Sequence, residues 1–513
     1  MPWTKKTAAA TCAAVTLADA ALGSGMCSTP TAASCCTALV SSLGGSQIFY
    51  PNSTSYTTHM STYWSVSAAL DPWCIALPFT SSDVSAIVST LAANNCPFGV
   101  RGGGHGSFDG SNSVADGVTV DFSSMNSTTY SEDDGLVGIG PGAHWQSVYD
   151  TLAPRGVVVT GGRAGTVGVG GFVAGGGNSF HSASHGMACD QVRNFEVVLA
   201  DGSVVDANAD ENPDLWAAMK GGSANFGLIT RFDMNAISFL DPSSPDIWGG
   251  NYLYNLSAGD AVIDALVDFT DGVQDDLNSS AIVYWAYLPA LGGMILNAAV
   301  ENTLGAVSPP AFDGFKNISG LTTDTTTVAP MSNVTLELGS GQPSGFRNVW
   351  LTSSFENNAE IMRYAVEQYY TLAETLEGVL SDESEFNLLC MFQPITKSIA
   401  DRGVEMGGNV MGLDYYTQDS NGIMFLLTLA LNGEDQEDLA RPYLSAYLDD
   451  LDAKAQEMGV GWDWKYLNYA DRTQDPLATY GEDAIAKMRA ASEQYDPDGV
   501  FQTLRSTGFK IPQ

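Results

Sequence analysis

A glycine-rich loop around one histidine carries the clearest chemical signal in the sequence. The loop reads Arg101-Gly102-Gly103-Gly104-His105-Gly106, and glycine lets a backbone approach a ligand closely. A run of free backbone N–H groups forms a nest that binds anions such as a pyrophosphate. A neutral imidazole in such a loop is a nucleophile that could bond a cofactor, so the loop predicts a nucleotide-cofactor site anchored by His105.

A second glycine cluster, residues 161–177, supports this interpretation and excludes several nucleotide-binding motifs. Val173 stands where a dinucleotide fingerprint begun by Gly168 and Gly170 needs its third glycine. The sequence also lacks a P-loop motif and the G-x-S-x-G elbow of serine hydrolases. A Rossmann dehydrogenase, a P-loop enzyme and a serine hydrolase are therefore disfavoured.

Three other histidines stand near these clusters. His181 and His185 are four residues apart, which suits one face of a helix. Two histidines alone do not make a metal site, and we assign no metal. His144 begins a predicted helix, where we expect it to serve as a cap.

The elements around the first loop follow a β-α-β order. Residues 74–78 and 97–100 are predicted strands, and 117–122 is a third strand by its alternation and β-branched residues. Between the first two, residues 84–94 form a predicted helix, with N-cap chemistry from Ser81, Ser82 and Asp83. This order indicates an α/β or α+β unit.

The elements continue in the same style to about residue 240. A composition shift at 238–245 marks a domain boundary, and the clearest helices beyond it are 356–380 and 433–458. The elements predicted before the boundary are a strand with a turn at 135–142, a helix at 144–154, a hairpin at 194–205 turning at Asp201-Gly202, a helix from Asn212 and a strand at 226–232.

Charge and length narrow the classes of function. With 513 residues the chain exceeds the size of one hydrophobic core, so we expect two folding units. Its 58 acidic and 21 basic residues give a net charge of −37. That field repels phosphate backbones and anionic membrane surfaces, so neither nucleic acid nor a membrane is an expected partner. Residues 1–20 resemble a secretory signal ending in Ala18-Asp19-Ala20, which predicts a secreted protein or one in a secretory compartment.

The cysteines and glycosylation sequons agree with secretion. Cysteines stand at 12, 27, 35, 36, 74, 96, 189 and 390, without a C-x-x-C pair that would indicate zinc. Disulfides joining the N-terminal segment to the body are expected in an oxidising compartment. N-x-S/T sequons occur at Asn52, Asn126, Asn255, Asn278, Asn317 and Asn333.

Taken together, the ordered motifs resemble the vanillyl-alcohol oxidase/p-cresol methylhydroxylase (PCMH-type) flavoproteins, in their berberine-bridge-enzyme-like branch. The resemblance covers about 70–240 and 464–503 and is loose between them. The motifs that carry it are Val100–His105, Gly140–Ala143, Thr166–Gly171, Gly175–Gly177, Asn194–Ala200, Asn212–Trp216, Asn225–Gly227, Tyr466–Tyr469 and Tyr495–Pro497.

The resemblance implies an α+β, two-domain PCMH-type fold. Residues 70–240 would form the FAD-binding domain, to which 464–513 returns. Residues 241–463 would form an inserted substrate domain, an antiparallel sheet backed by helices, and 1–69 an N-terminal segment. It also implies a disulfide between Cys36 and Cys96.

For the cofactor, the resemblance implies FAD bonded through its 8α-methyl to His105. Many relatives add a cysteinyl bond, but the matching position holds Ala164. We therefore expect one covalent link, a lower redox potential and a less open site, which counts against the oligosaccharide oxidases. The implied cofactor-binding set is Arg101, Gly102, Gly103, Gly104, His105, Gly106, Ser107, Gly165, Thr166, Gly168, Gly170, Gly171, Gly175, Ile229 and Asn468.

For activity, the resemblance implies transfer of a hydride from a small organic substrate to FAD and then transfer of the electrons to O2, in secondary metabolism. We expect the protein to be a monomer. Val167 matches an oxygen-gate position where valine is associated with oxidases and leucine with dehydrogenases. Alternatives are a carbohydrate oxidase and a flavin-bearing binding protein without turnover. The candidate base or positioning residues are Tyr284, Tyr287, Gln393, Asp414 and Tyr415, with Tyr469 expected beside the isoalloxazine.

Overall fold

The computed structural model describes residues 30–289, 292–381 and 385–513 and has the predicted α+β fold. The strands are β1 Ile48–Phe49, β2 Cys74–Ala76, β3 Phe98–Arg101, β4 Val118–Asp121, β5 Thr128–Ser131, β6 Leu136–Ile139, β7 Val157–Val158, β8 Val192–Val198, β9 Val204–Asn208, β10 Leu228–Asn235, β11 Ile237–Ser238, β12 Asp246–Tyr254, β13 Ser279–Leu288, β14 Gly293–Asn302, β15 Leu321–Asp324, β16 Thr327–Pro330, β17 Arg347–Glu356, β18 Phe386–Ile395, β19 Gly422–Leu431 and β20 Gly461–Trp462. The helices are α1 Ala32–Leu43, α2 Thr54–Met60, α3 Ser81–Ala93, α4 Trp145–Leu152, α5 Val169–Ala174, α6 Ser182–His185, α7 Pro213–Met219, α8 Gly259–Asp271, α9 Asp313–Lys316, α10 Met331–Ser340, α11 Ala359–Val379, α12 Lys397–Glu405, α13 Leu413–Tyr416, α14 Glu434–Glu457, α15 Glu482–Tyr495 and α16 Val500–Thr503.

The first sheet has the order β1-β2-β4-β3 and holds the histidine loop at the end of β3. Strands β2 and β3 both run parallel to β4, and α3 crosses between them. The N-cap of α3 is Thr80 rather than the predicted Ser81 or Ser82, because Thr80 and Asp83 cap each other reciprocally. Strand β1, from the N-terminal segment, adds the antiparallel edge.

The second sheet is antiparallel, in the order β5-β6-β10-β8-β9. Strands β8 and β9 form the predicted hairpin. Gly202 turns it with a φ of +82°, while the carboxylate of Asp201 accepts a hydrogen bond from the Ser203 amide. Around this sheet pack the segments that carry the second glycine cluster.

The third sheet is the antiparallel sheet expected in the middle of the chain. Its order is β15-β12-β14-β13-β18-β19-β17-β20, and β16 also pairs with β12. Helices α8, α11 and α14 cover one face, where α11 buries Ile361, Ala365 and Tyr369 at helical spacing. The opposite face is left to line a cavity.

The end of the chain returns to the first sheet. The Phe98 amide donates to the Leu504 carbonyl, and the Ser506 amide donates back to the Phe98 carbonyl. The rings of Phe98 and Phe501 meet edge to face at 6.3 Å. Both ends of the described chain therefore pack on the same sheet, on either side of the inserted third sheet in sequence.

The disulfides correct one expectation. Cys35 pairs with Cys96 and Cys36 pairs with Cys74, so the expected Cys36–Cys96 bond is wrong. Adjacent residues of a helix point about 100° apart, which directs Cys35 and Cys36 of α1 to different neighbours. Both bonds join α1 to the body, as expected for the N-terminal segment.

Several expectations concern residues outside the described ranges. The signal segment 1–20 lies there, as do Cys12 and Cys27. Of the remaining cysteines, Cys189 and Cys390 are buried and carry no disulfide within the residues described. Among the helices of those residues, none is long and apolar enough to cross a membrane.

Candidate active site

The two glycine clusters meet backbone to backbone. A Cβ placed on Gly103 would lie 2.4 Å from the Gly168 Cα, and one placed on Gly168 would lie 2.4 Å from the Gly103 Cα. Real Cβ atoms do not approach that closely, so glycine is required at both positions for these loops to touch. The second cluster thus supports the histidine loop from behind.

A third segment, Gly140–Ala143, completes the support. Its Pro141 carbonyl accepts from the Gly170 amide at 3.2 Å, and its Ala143 carbonyl accepts from the Val169 amide at 2.8 Å. His144 occupies the N-cap position of α4 but makes no side-chain cap, contrary to expectation. Instead its Nε2 lies 3.1 Å from the Gly103 carbonyl, so the ring ties α4 to the histidine loop.

These loops form one wall of a cavity of about 410 Å³, and the third sheet forms the other. In the part of the chain that the structure describes, the amides of Gly103 to Ser107 have no hydrogen-bond acceptor. The sequence-predicted cofactor residues that line the cavity are Gly102, Gly103, Gly104, His105, Gly106, Ser107, Thr166, Gly168, Gly170, Gly171, Ile229 and Asn468.

His105 stands at the wall of this cavity in a form suited to nucleophilic attack. Its ring stacks on Trp64 with centroids 4.3 Å apart and planes 9° from parallel. Its Nε2 lies 3.5 Å from the Thr166 hydroxyl. Burial lowers the pKa of His105 to about 4, so the imidazole is neutral at neutral pH.

Three predicted cofactor residues do not line the cavity but support those that do. Arg101 is buried, donates to the Asp121 carboxylate at 3.1 Å and donates to the carbonyls of His59 and Thr62 at and just after the end of α2. A Cβ on Gly175 would meet the Asn468 Oδ1 at 2.1 Å, and one on Gly165 would meet the Gln146 Oε1 at 2.4 Å. Asn468 is held by hydrogen bonds, so its closeness explains why position 175 holds glycine.

The C-terminal segment is tied directly to the second glycine cluster. The Tyr466 hydroxyl accepts from the amides of Gly177 and Asn178, at 3.0 and 2.9 Å. Asn468 donates to the Phe172 carbonyl and to the Tyr466 hydroxyl, each at 3.0 Å. These bonds hold Tyr469, one 3-10 turn after Tyr466, at the cavity wall.

A small polar group faces the cavity between the two walls. The Tyr469 hydroxyl donates to the Gln393 Oε1 at 3.3 Å, and Arg163 Nη2 donates to both side chains. Gln393 is buried, and its Nε2 has no partner within the described residues. The sequence predictions of Tyr469 and Gln393 thus come together, but Arg163 was missed.

A signal for Arg163 was present in the sequence. It is a lone cation inside a glycine cluster, in a chain with only 21 basic residues. Trp64 and Trp350 were missed as well, because nothing in their sequence neighbourhoods separates a cavity aromatic from a core aromatic. Trp350 lines the cavity and meets Tyr469 edge to face at 5.4 Å and Trp64 at 5.5 Å, so a row of aromatic contacts links His105 to Tyr469.

The other substrate-domain candidates separate by position. Tyr284 lines the cavity, whereas Tyr287 points to the helix-covered face of the same strand and donates to Glu377. Side chains three apart in a strand lie on opposite faces. Asp414 and Tyr415 lie on α13, beside a separate surface groove, and do not line the main cavity.

Apart from its polar group, the sheet wall is apolar. Every second residue of β13 from Ile282 faces the cavity, as strand alternation requires. The apolar side chains of this wall are Ile282, Ala286, Leu288, Ile295, Leu389, Met391 and Leu426, and Leu338 of α10 extends it.

The residues present fit an FAD. Free amides of the histidine loop suit a pyrophosphate, and the neutral His105 suits attachment. Two further buried atoms at the cavity, Ser111 Oγ and Asn112 Oδ1, have no partner among the described residues and can meet polar groups of a ligand.

Comparison with known proteins decides the family. A family model described as an FAD binding domain matches residues 72–208. The FAD-dependent monooxygenase sdcF of Emericella nidulans is 37% identical over 93% of this chain and 98% of its own length. The FAD-dependent monooxygenase drtC of Aspergillus calidoustus is 35% identical over 95% and 92%.

The chain belongs to this family of FAD-dependent oxidoreductases. Solved structures agree on the fold of the enzyme. The BBE-like 1 protein of Physcomitrella patens superposes with a TM-score of 0.71 at 19% identity, covering 93% of this chain and 98% of that one. The glucooligosaccharide oxidase of Acremonium strictum, described with a 6-S-cysteinyl, 8α-N1-histidyl FAD, gives 0.72 at 17% identity over 93% and 99%. The expected PCMH-type, berberine-bridge-like fold is confirmed.

Proposed function

We propose that the enzyme is an oxidase that removes a hydride and a proton from a small, largely apolar organic molecule and passes the electrons to O2. The group that is oxidised is an alcohol, an amine or an activated C–H bond. The observation that carries the proposal is the cavity itself: a glycine cradle with His105 faces an apolar sheet wall across one polar group, Tyr469 with Gln393 and Arg163.

When bound, FAD supplies the hydride acceptor and the electrons for O2. The chain's own residues supply the attachment and the position. His105 is the only covalent anchor that we propose, since Ala164 stands where a cysteine would form a second bond. A Cβ placed on Gly339 of α10 would lie 3.4 Å from the Ala164 Cβ, so α10 already covers that position closely.

The sheet wall orients the substrate and excludes water from it. Its aliphatic side chains suit a flat apolar skeleton, while Tyr284 and the free Nε2 of Gln393 can each bind one polar substituent. Burial raises the pKa of Tyr284 to about 12, so it stays a hydrogen-bond donor over the working range. Tyr469 stands where a substrate proton can be accepted.

The alternative of a carbohydrate oxidase receives less support. Sugars present hydroxyls on every edge, and a site that binds them must pair those hydroxyls because unpaired buried polar groups are costly. The sheet wall offers few such partners. Two relatives are named FAD-dependent monooxygenases, which agrees with oxidation of an organic molecule by a flavin enzyme. Secondary metabolism is the context that we propose, because the family resemblance implies it.

Val167 supports the choice of an oxidase over a dehydrogenase. Its side chain is half-buried at the cavity wall, between Thr166 and the Gly168 contact. We assign it the oxygen-gate role because valine leaves more room there than leucine. O2 and the organic molecule are the partners in this proposal.

The location that we propose is extracellular or within the secretory pathway. Two disulfides join α1 to the first sheet, and such bonds persist in oxidising compartments. The signal segment 1–20 would direct the chain there.

The test is product and peroxide stoichiometry across a panel of aromatic alcohols, amines and oligosaccharides, with the flavin-loaded enzyme. We expect turnover of an aromatic alcohol or amine with one peroxide for each product, and no ¹⁸O from ¹⁸O₂ in the product. Incorporation of ¹⁸O would show a monooxygenase, preferred turnover of oligosaccharides would show a carbohydrate oxidase, and silence across the panel would favour a binding protein. Each of these results would contradict the proposal.

A further inference from the structure

Arg163 is held in an unusual electrostatic position for a chain of net charge −37. Its guanidinium donates to two neutral oxygens, those of Gln393 and Tyr469, and has no carboxylate oxygen within 4 Å in the described residues. Its side-chain partners among the described residues are therefore neutral. The positive charge of such a half-buried cation can stabilise a group that becomes negative during a reaction.

The three contacting groups differ in what they can do with a proton. A guanidinium remains protonated, and an amide is not a base at any working pH. The Gln393 Oε1 accepts hydrogen bonds from both Arg163 and Tyr469, and these bonds fix the orientation of the amide. Its Nε2 has no partner in the described residues and is available to a ligand in the cavity. Tyr469 is therefore the one member of the trio that can take a proton from a substrate.

The titratable groups that face Arg163 are themselves neutral at neutral pH. Burial raises the pKa of the Glu301 carboxyl to about 8, against weaker opposing effects from Ser280 and Arg163. Burial likewise raises the pKa of Tyr149 and of Tyr466 well above their ordinary value. At pH values below the pKa of Glu301, the charge of Arg163 is therefore largely not offset by these groups.

We propose that Arg163 is a positioning residue that stabilises the phenolate of Tyr469, and that this phenolate accepts the substrate's O–H or N–H proton. The inference rests on the proposed function. The substrate's O–H or N–H bond breaks and its proton forms a new O–H bond on Tyr469. With FAD bound, the flavin would supply the acceptor for the hydride that leaves the adjacent carbon, and the electron pair of the broken O–H or N–H bond would form the second bond to that carbon.

The same arrangement explains how residues from three parts of the chain cooperate. Arg163 comes from the second glycine cluster, Gln393 from β18 and Tyr469 from the C-terminal segment. Gln393 holds the guanidinium against the phenol, and its free Nε2 remains available to the substrate. Loss of the Arg163 charge should therefore affect proton transfer more than substrate affinity.

The experiment compares Arg163→Gln, Arg163→Lys and Tyr469→Phe with the wild-type holoenzyme, and uses Arg155→Gln as a matched control. Arg155 is exposed and lies outside the cavity. We expect Arg163→Gln to move the acidic limb of kcat/KM at least about one pH unit upward, since an opposite charge within hydrogen-bond distance shifts an ionisation by about that much. Arg163→Lys should restore part of the shift, and Arg155→Gln should leave the profile unchanged.

A second measurement needs no turnover. Phenolate absorbance is titrated for each protein, and the Tyr469 contribution is identified as the part missing in Tyr469→Phe. It should appear at a pH about one unit higher in Arg163→Gln than in the wild type. Both titrations are repeated with Glu301→Gln, which removes the carboxyl that ionises near pH 8.

The outcomes separate the two proposals. If no substrate is found, the proposed function fails, but the absorbance titration still tests the contact between Arg163 and Tyr469. Suppose that Arg163→Gln loses activity while the acidic limb of kcat/KM and the phenolate absorbance of Tyr469 both stay at their wild-type pH. Arg163 would then have only a structural role in connecting the second glycine cluster to Gln393 and Tyr469, and the inference would be overturned.

Discussion

At the scale of single residues, His105 shows how burial prepares a side chain for chemistry. A protonated imidazole cannot attack an electrophilic carbon, and burial lowers the His105 pKa to about 4. The nucleophilic form is therefore dominant above that pH and is lost as the pH falls through it. Stacking on Trp64 holds the ring in one orientation.

The residue-scale prediction concerns the proposed covalent bond. Wild-type protein precipitated with acid should stay yellow, whereas His105→Ala should leave a colourless pellet and a yellow supernatant, because its flavin is held without a covalent bond. His185→Ala is the matched control, since His185 lies outside the cavity, and its pellet should stay yellow. A colourless wild-type pellet would refute the covalent attachment.

At the scale of elements, strand alternation sorts the candidate residues of the third sheet. Even-numbered side chains of β13 from Ile282 to Leu288 face the cavity, and Val283 and Trp285 pack under the helices. Tyr284 and Tyr287 therefore serve different faces although both are tyrosines of one strand. The Tyr287 hydroxyl is engaged with Glu377 of α11.

The element-scale prediction uses that pair of tyrosines. Tyr284→Phe should raise KM by about three- to tenfold, the effect of losing one hydrogen bond to a substrate. Tyr287→Phe is the control and should leave kcat and KM unchanged, with at most a small loss of thermal stability. Steady-state kinetics on the substrate found in the panel would check this, and equal effects of the two variants would contradict the assignment of faces.

At the scale of the whole molecule, the net charge affects the stability of the fold through long-range repulsion rather than through any single contact. A net charge of −37 on one chain produces self-repulsion that opposes the compact state. Neighbouring ion pairs such as Arg231 with Glu196 and Asp233 offset only a part of it.

The whole-molecule prediction is that salt stabilises the fold. Raising the ionic strength from about 10 mM to about 150 mM shortens the Debye length from about 30 Å to about 8 Å. At neutral pH the Tm should rise by about 1–2 °C, because screening weakens the repulsion between acidic side chains. Calorimetry near the isoelectric point of 4.1 is the control, and there the same step should have little effect. A Tm that falls with salt at neutral pH would contradict the prediction.

Local features were predictable from the sequence, because local backbone geometry determines them. The histidine loop requires glycine at Gly103, where its backbone touches Gly168. The β8–β9 hairpin requires its Asp201-Gly202 turn, and α11 and α14 follow helical periodicity. The family resemblance predicts an FAD-binding domain, which the comparisons confirm, and a single histidyl anchor, which stays a prediction. The sequence motifs and the resemblance also indicate His105, Gln393 and Tyr469 as candidate site residues.

The pairings were decided only by the tertiary structure. Arg163 meets Gln393 and Tyr469 across 230 and 306 residues of sequence, and no local pattern records such a contact. Cys35 and Cys36 are adjacent, so their partners depended on how α1 packs against the first sheet. The sequence by itself determined which residue types could bind and anchor a flavin, because those depend on backbone freedom and side-chain chemistry. The fold decided which of them share one cavity, because that depends on how distant segments pack.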